Sequence, residues 1–289
     1  MHILIAYPLS VCENIAMKIS GHLHKMQTSL GSPVQYKLPL DDELISLNPF
    51  LGKKIKLSYS GEIHCIECGR KTSKSYNQGY CYPCFQTLAQ CDLCIMKPET
   101  CHYFKGTCRQ PEWGEAHCMQ EHYVYLANSS GIKVGITRGT QVPTRWIDQG
   151  ASEALPIFRV SNRLLSGKIE VAIKNHVSDR TDWRKMLKGD AEPLDLASKR
   201  DELIKLAAKE IQEIEQEFGQ SEISRLDADQ VSIHFPVAQY PEKIKSLNLD
   251  KTAEVEGTLQ GIKGQYLILD SGVINIRKYG GYLVTFSSS

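Results

Sequence analysis

Nine of the chain's ten cysteines fall between residues 63 and 118, and that crowding limits what this stretch can become. The segment "CIECGRKTSKSYNQGYCYPC" sets Cys65, Cys68, Cys81 and Cys84 in two Cys-x-x-Cys pairs separated by twelve residues. Each pair makes a tight turn whose thiolates can bind one ion, and two such turns close a tetrahedral sulfur cage around Zn²⁺. The free energy of binding then becomes free energy of folding. Buried cysteines with incidental spacing are the plainer alternative, and a duplicated pair at this distance argues against it.

The following run, "CDLCIMKPETCHYFKGTCRQPEWGEAHC", adds Cys91 and Cys94 as a third pair, then Cys101, Cys108 and Cys118. That is one thiol more than a second tetrahedral site needs, with His102 and His117 as spare candidates. A second zinc is expected, its four ligands left open and cross-bracing between the pairs allowed. An iron–sulfur cluster also suits four cysteines. A full sulfur shell has no open position, so the metal is expected to be structural.

The compartment bears on this chemistry. "MHILIAYPLS" lacks a basic leader region and a small-residue cleavage site, and reads as an early strand. No apolar run approaches the roughly 20 residues of a membrane span. The expectation is a cytoplasmic protein without a membrane partner, where reduced thiols favour metal over disulfides. Lys53, Lys54, Lys56, Arg70, Lys71 and Lys74 surround the first pairs, interleaved with Tyr76, Tyr80, Tyr82 and Phe85. Charge for phosphates and rings for bases suit a nucleic-acid groove; a solvated basic edge on a small ribbon accounts for the same residues. The net charge of +1 gives no global attraction to polyanions, so such a site must be a local patch. Lys71, Lys74, Arg109 and Arg138 are the candidate nucleic-acid contacts.

A length of 289 residues allows about two domains, and 42% hydrophobic with 23% charged residues is an ordinary globular balance. Residues 1–62 read as β-rich, with "PVQYKLPL" and "KKIKLSYSGEI" alternating as strands. Residues 63–118 are the cysteine region, 119–189 an α/β module and 190–230 a linker. The linker holds a charged amphipathic helix over 193–218, with Leu203, Leu206, Ile211, Ile214 and Phe218 at helical spacing. Residues 231–289 return to strands in "VSIHFPV", "AEVEGTL", "QYLILDSG" and "VINIRKYGGYLVTF", and are expected to complete one small barrel with 1–62. Arg277, Lys278, Tyr279 and Tyr282 there offer either more nucleic-acid surface or an exposed basic edge strand.

Within 119–189, "YVYLA" and "IKVGIT" are strands around the turn "NSSG". "PTRWIDQG" is a Pro-initiated helix ending at Gly150, and "LPIFRVS" is a third strand. "SGKIEVAIKNHVSD" is a helix burying Ile169, Ala172, Ile173 and Val177. Singly, each residue has a plain reading. Tyr123 and Tyr125 plug a core edge, Arg145 pairs with Asp148 and Glu170 with Lys174 along their helices, and Gly135 serves close packing.

In this order the residues resemble the GIY-YIG nuclease superfamily over about residues 121–188. "YVY" at 123–125 matches the first motif and "KVG" at 133–135, followed by "IT", the second. Arg145 occupies the position of the helix arginine, Glu170 that of the metal-binding glutamate, and "DWRKML" at 182–187 the closing segment. The resemblance implies that Tyr125 deprotonates or positions the attacking water and that Arg145 binds the scissile phosphate. It further implies that Glu170 holds one Mg²⁺ or Mn²⁺, with Lys133 as a second positive charge. Lys133 stands where most active members carry a second tyrosine, and Tyr123 where the first glycine belongs. A phosphate cradle kept only for binding is therefore an alternative. From the cysteine block to the glycine-rich end, the sequence is also similar to a bacterial family, domain-of-unknown-function family 2797, which implies no activity.

The combined expectation is an α+β chain with a GIY-YIG-like module, a zinc-ribbon-like cysteine region and flanking barrel-like segments. Its expected function is that of a zinc-containing protein acting on nucleic acid, at its most specific a metal-dependent endonuclease. A non-catalytic zinc module binding RNA or DNA, and a protein–protein adaptor, are the alternatives.

Overall fold

The computed structural model describes residues 17–177 and 182–288. The strand expected in "MHILIAYPLS", and the end of the helix expected over 166–179, lie outside the described residues. The amino-terminal part comprises β1 (Met17–His22), β2 (Gln27–Ser29), β3 (Gln35–Leu40), β4 (Glu43–Ser46), β5 (Lys54–His64) and β6 (Lys71–Thr72). The cysteine block carries α1 (Tyr82–Thr87), several 3-10 turns and α2 (Pro111–His117). Next come β7 (His122–Asn128), β8 (Ile132–Arg138), α3 (Thr144–Asp148), β9 (Glu153–Val160), α4 (Arg163–Lys174) and α5 (Trp183–Met186). The chain closes with α6 (Leu196–Leu206), α7 (Ala208–Phe218), β10 (Ile223–Arg225), β11 (Val231–Ser232), β12 (Glu254–Lys263), β13 (Tyr266–Leu269), β14 (Gly272–Asn275) and β15 (Tyr282–Ser288).

Helices combined with antiparallel sheets make the fold α+β. Strands from both ends of the chain share one sheet in the order β1-β15-β5-β12-β13-β14, with β6 on β5. The expected barrel does not form among the described residues: β1 and β14 remain as open edges. Nor is "RKYGGY" an edge. Tyr279 and Tyr282 are buried, β15 runs between β1 and β5, and Lys278 pairs with Asp250 at 3.0 Å. Of "VSIHFPV", Val231–Ser232 pairs with β9 and Val237 makes a single antiparallel bridge to Gly261 of β12.

A second sheet has the order β10-β9-β7-β8, with β11 also on β9. Its geometry follows from the two-residue alternation of β7. Val124 and Leu126 share one core with Leu165 and Ile169 of α4, Leu203 of α6 and Ile211 of α7. Tyr125 and Ala127 point the other way, into the core built with the first sheet. Burying each large apolar side chain here contributes about 1.5–3 kcal/mol, so both faces of this sheet are committed.

The helix expected over 193–218 is two helices, broken at Ala207 (φ −90°, ψ 11°). The break lets α6 cover β7 and β9 while α7 lies on α4. It also leaves Leu206 52% exposed while Leu203, Ile211 and Ile214 are buried. Helix α4 begins earlier than expected because the Asn162 side chain caps it, accepting from Leu165 N at 3.0 Å. It also docks the cysteine block. Gly167 approaches Pro98 and Glu99 so closely that a Cβ would collide with their backbone, and Arg163 Nη2 donates to the Ile95 carbonyl at 2.7 Å. No helix among the described residues is long and apolar enough to cross a membrane.

Candidate metal centre and basic cleft

Cys65 follows the last residue of β5, Cys81 caps α1, and Cys84 lies in that helix's first turn. Together with Cys68, their sulfurs all lie within 4.8 Å of one another, and Cys68 and Cys81 are 3.7 Å apart. A ZnS₄ tetrahedron with bonds of about 2.3 Å has S–S edges of about 3.8 Å, whereas a disulfide requires about 2.05 Å. The four thiols thus fit a zinc ion. Burial by itself would raise the Cys65 thiol, yet the backbone N–H groups of Cys68, Cys81 and Glu67 bring it down to about 6, toward the thiolate that binds metal.

The third Cys-x-x-Cys pair is split. The Cys91 sulfur turns toward the ribbon and accepts from Asn77 Nδ2 at 3.6 Å. Cys94, Cys101, Cys108 and Cys118 instead line a cavity of about 10 Å³, together with Asp92 and His102. Ligand atoms of Asp92, Cys94 and His102 lie within 4.8 Å of one another. Burial, then the Asp92 carboxylate and the Cys101 and Cys118 thiolates, push Cys94 up to about 12. Arg109 Nε holds Asp92 at 2.7 Å. His117 is elsewhere, stacked on Trp113 with ring centroids 4.2 Å apart.

An open cleft of about 500 Å³ lies where β8, α3, α4 and the cysteine block meet. Arg145 and Glu170 both line it, as do Lys133 and Arg138 of β8. Lys25, Arg163, Lys174 and Arg277 arrive from other segments, so seven cationic side chains meet two carboxylates, Asp148 and Glu170. Asp148 is held by Lys25 and accepts from Gln265 Nε2 at 2.8 Å. Arg145 therefore turns to Gln149 instead of the expected Asp148. With the amide oxygen toward Arg145, Nε and Nη2 donate to it at 3.1 Å, and the amide nitrogen donates to the Tyr125 hydroxyl at 3.0 Å. Burial, then the Arg145 guanidinium, holds Arg277 below its usual range. Burial and Arg145 also lower Arg163, against the opposing influence of Cys118 and Cys94, and Arg163 Nε is buried without a hydrogen-bond partner.

Tyr125 is not in the cleft wall. It is fully buried, and its hydroxyl lies beneath Gly135, where a Cβ would come within 2.6 Å of it. Burial raises it to about 12, with Arg145 opposing. A phenol sealed in this way keeps its proton and does not meet solvent, so the expected base role is not carried by this geometry. The alternation of β7 is the cause, since it sends Tyr125 into the shared core. The other expected contacts are dispersed. Lys71 pairs with Glu62 at 2.7 Å, Lys74 lies over the Tyr76 ring at 5.0 Å, and Arg109 donates to the Phe85 and Leu88 carbonyls at 3.3 Å. Of the four, only Arg138 reaches the cleft. Tyr76 packs on Phe85 and Tyr82, while Tyr82 itself stays 55% exposed. Lys25 and Arg163 had no periodic or motif signal; Arg163 could have been found from the cap at Asn162.

A family model described as a protein of unknown function, DUF2797, matches residues 52–284. The chain belongs to that family. In this DUF2797 chain the matched span takes in both thiol clusters, Arg145, Glu170 and Arg277, and leaves Lys25 outside. Neither a curated protein nor a solved structure matches the chain.

Proposed function

We propose that this protein binds nucleic acid, holding backbone phosphates in the Arg145 cleft of a GIY-YIG-like module. One observation carries the reading: a chain of net charge +1 gathers seven cationic side chains against two carboxylates around one open cleft. Guanidinium groups that raise one another's cost are relieved by an anion between them, and a phosphodiester meets their planar donors in pairs. We extend the zinc reading to two structural ions, the second held by Cys94, Cys101, Cys108 and Cys118. Reduced thiols in that number suit a cytoplasmic protein.

Cleavage is the second reading, favoured by Glu170 lining the same cleft as Arg145. Glu170 would hold Mg²⁺ or Mn²⁺, a hard cation suited to a carboxylate.

Binding of labelled oligonucleotides across a salt series tests the proposal. Affinity should fall steeply with salt, by a slope of about 0.7 per phosphate contact for single strands. Arg145→Ala should weaken binding about tenfold and flatten the slope by about one contact. Affinity indifferent to salt and to Arg145→Ala would reject the cleft in favour of a protein docking surface. If Mg²⁺ or Mn²⁺ yields cut products, Glu170→Ala should abolish them with zinc content unchanged.

A further inference from the structure

The Arg145 cleft does not end at Lys25 and Arg277. Both side chains also line a second cavity of about 480 Å³. That cavity shares His24, Asp41 and Ile66 with a third, of about 350 Å³, beside Cys65. We propose that the three form one groove for a single-stranded nucleic acid, running from Arg145 past Arg277 and Lys25 to the edge of the first cysteine cage. The proposal rests on the reading of the cleft as a phosphate site.

Two features favour a single strand. The cations follow one depression, with Arg138 and Arg145 lining the cleft and Arg277 and Lys25 lining both the cleft and the middle cavity. A duplex needs two phosphate rails across a groove about 12 Å wide. Four carboxylates line the path: Asp41 accepts from His22 N at 3.0 Å and lies 2.8 Å from His22 Nδ1, Asp148 is held by Lys25, Glu67 accepts from Gln90 Nε2 at 2.9 Å, and Glu170 stands in the cleft. Apolar and aromatic side chains also line the path. Met96, 77% exposed, stands at the cleft end, and Ile66 and Tyr80 line the middle cavity. Bases stack on such faces whatever their sequence.

Gln27 lines the middle cavity and not the cleft. It is exposed on β2, so Gln27→Glu adds one negative charge with almost no change of shape. The test measures binding of uniform-sequence single strands from about 2 to about 12 nucleotides, and of a duplex of the longest, within the range of known single-strand site sizes. Native protein should bind longer strands progressively tighter and the duplex more weakly. Gln27→Glu should weaken the longest strand about fivefold, the scale of one unit charge near a phosphate in water, and leave the shortest unchanged. Arg145→Ala should weaken every length. If length gives no gain, or Gln27→Glu has no effect while Arg145→Ala still weakens binding, the groove is wrong and the cleft stands. A duplex bound as tightly as the single strand overturns the proposal. Absence of binding to any strand removes the cleft reading itself.

Discussion

The first cysteine cage and the Arg145 cleft both gather like charge, and they differ in how that charge is relieved. In the cage, four thiols within 4.8 Å come from one short segment, and a cation at their centre would complete a closed shell. In the cleft, Arg145, Arg163 and Arg277 come from α3, from α4 and from the turn after β14. The cleft opens to solvent, so two like charges at 4 Å repel by about 4 kcal/mol at its surface, against about 20 in a dry interior. A closed cage binds its ion as part of folding; an open cleft tolerates its own repulsion until an anion arrives and can release it afterwards. Arg163 links the cleft to the second group of cysteines, because Cys118 and Cys94 favour its charge while Arg145 opposes it.

The largest effect is expected at the cage. Cys81→Ser should remove one zinc and expose residues 63–118 to limited proteolysis, because structural zinc contributes roughly 10–16 kcal/mol in finger peptides. Cys91→Ser, at the thiol outside both clusters, should keep the metal content of the native protein. Metal analysis and proteolysis of the two variants check this. Iron in place of zinc, or a Cys81→Ser protein as resistant as native, would break the comparison on the cage side.

The cage was legible because its ligands are neighbours in sequence, and a duplicated Cys-x-x-Cys turn has few other uses. The split of Cys91 from Cys94 was not. It depends on Asp92, whose extended backbone (φ −68°, ψ 153°) separates two 3-10 turns and whose side chain accepts from Cys94 N. The strands and helices from Tyr123 to Lys174 were legible from periodicity and turn residues. Ordered motifs alone led to the expectation that Tyr125, Arg145 and Glu170 converge; Arg145 and Glu170 do line one cleft, with Lys133, but Tyr125 is buried beneath Gly135 and outside it. Which face of β7 would be sealed was hidden, because that depends on a sheet assembled from both ends of the chain. Lys25 and Arg277 reach the cleft by the same long-range assembly.

His122 probes the cleft side, through Arg163 and Arg138. It is fully buried at the start of β7, its Nδ1–H donates to the Gln120 carbonyl at 2.7 Å, and Nε2 has no partner. Burial first, then the Arg163 and Arg138 guanidiniums, lower it to about 4 despite the Gln120 bond. An unfolded chain takes this proton near pH 6.5 and the folded chain only near 4. Across that window the unfolded state binds more protons, and stability falls as pH falls, by on the order of 3 kcal/mol over the whole interval. His122→Asn, which keeps a donor for the Gln120 carbonyl, should flatten the slope. Denaturation midpoints at matched zinc content, from pH 6.5 downward, check it; an unchanged slope would mean that water already reaches the ring.

The smallest effect is expected at Tyr125, and it separates a packing role from a chemical one. Tyr125→Phe removes a hydroxyl bonded to Gln149, at a cost of about 1 kcal/mol, while Arg145 keeps its own bonds to the same amide. Oligonucleotide affinity should therefore stay within about twofold, whereas loss of a catalytic acid–base group would cost about 10²–10⁴ in any cleavage rate. Gly135→Ala sets a methyl against the same hydroxyl and ring carbon, and should cost about 1–3 kcal/mol as an overpacked contact. Combining the two substitutions sharpens the point. If the hydroxyl acts by filling the space beneath Gly135, Tyr125→Phe should recover part of the Gly135→Ala loss, and the double variant will be more stable than the sum predicts. Strict additivity would mean that the strand above Tyr125 moves aside freely, and then the phenol is not sealed from the cleft.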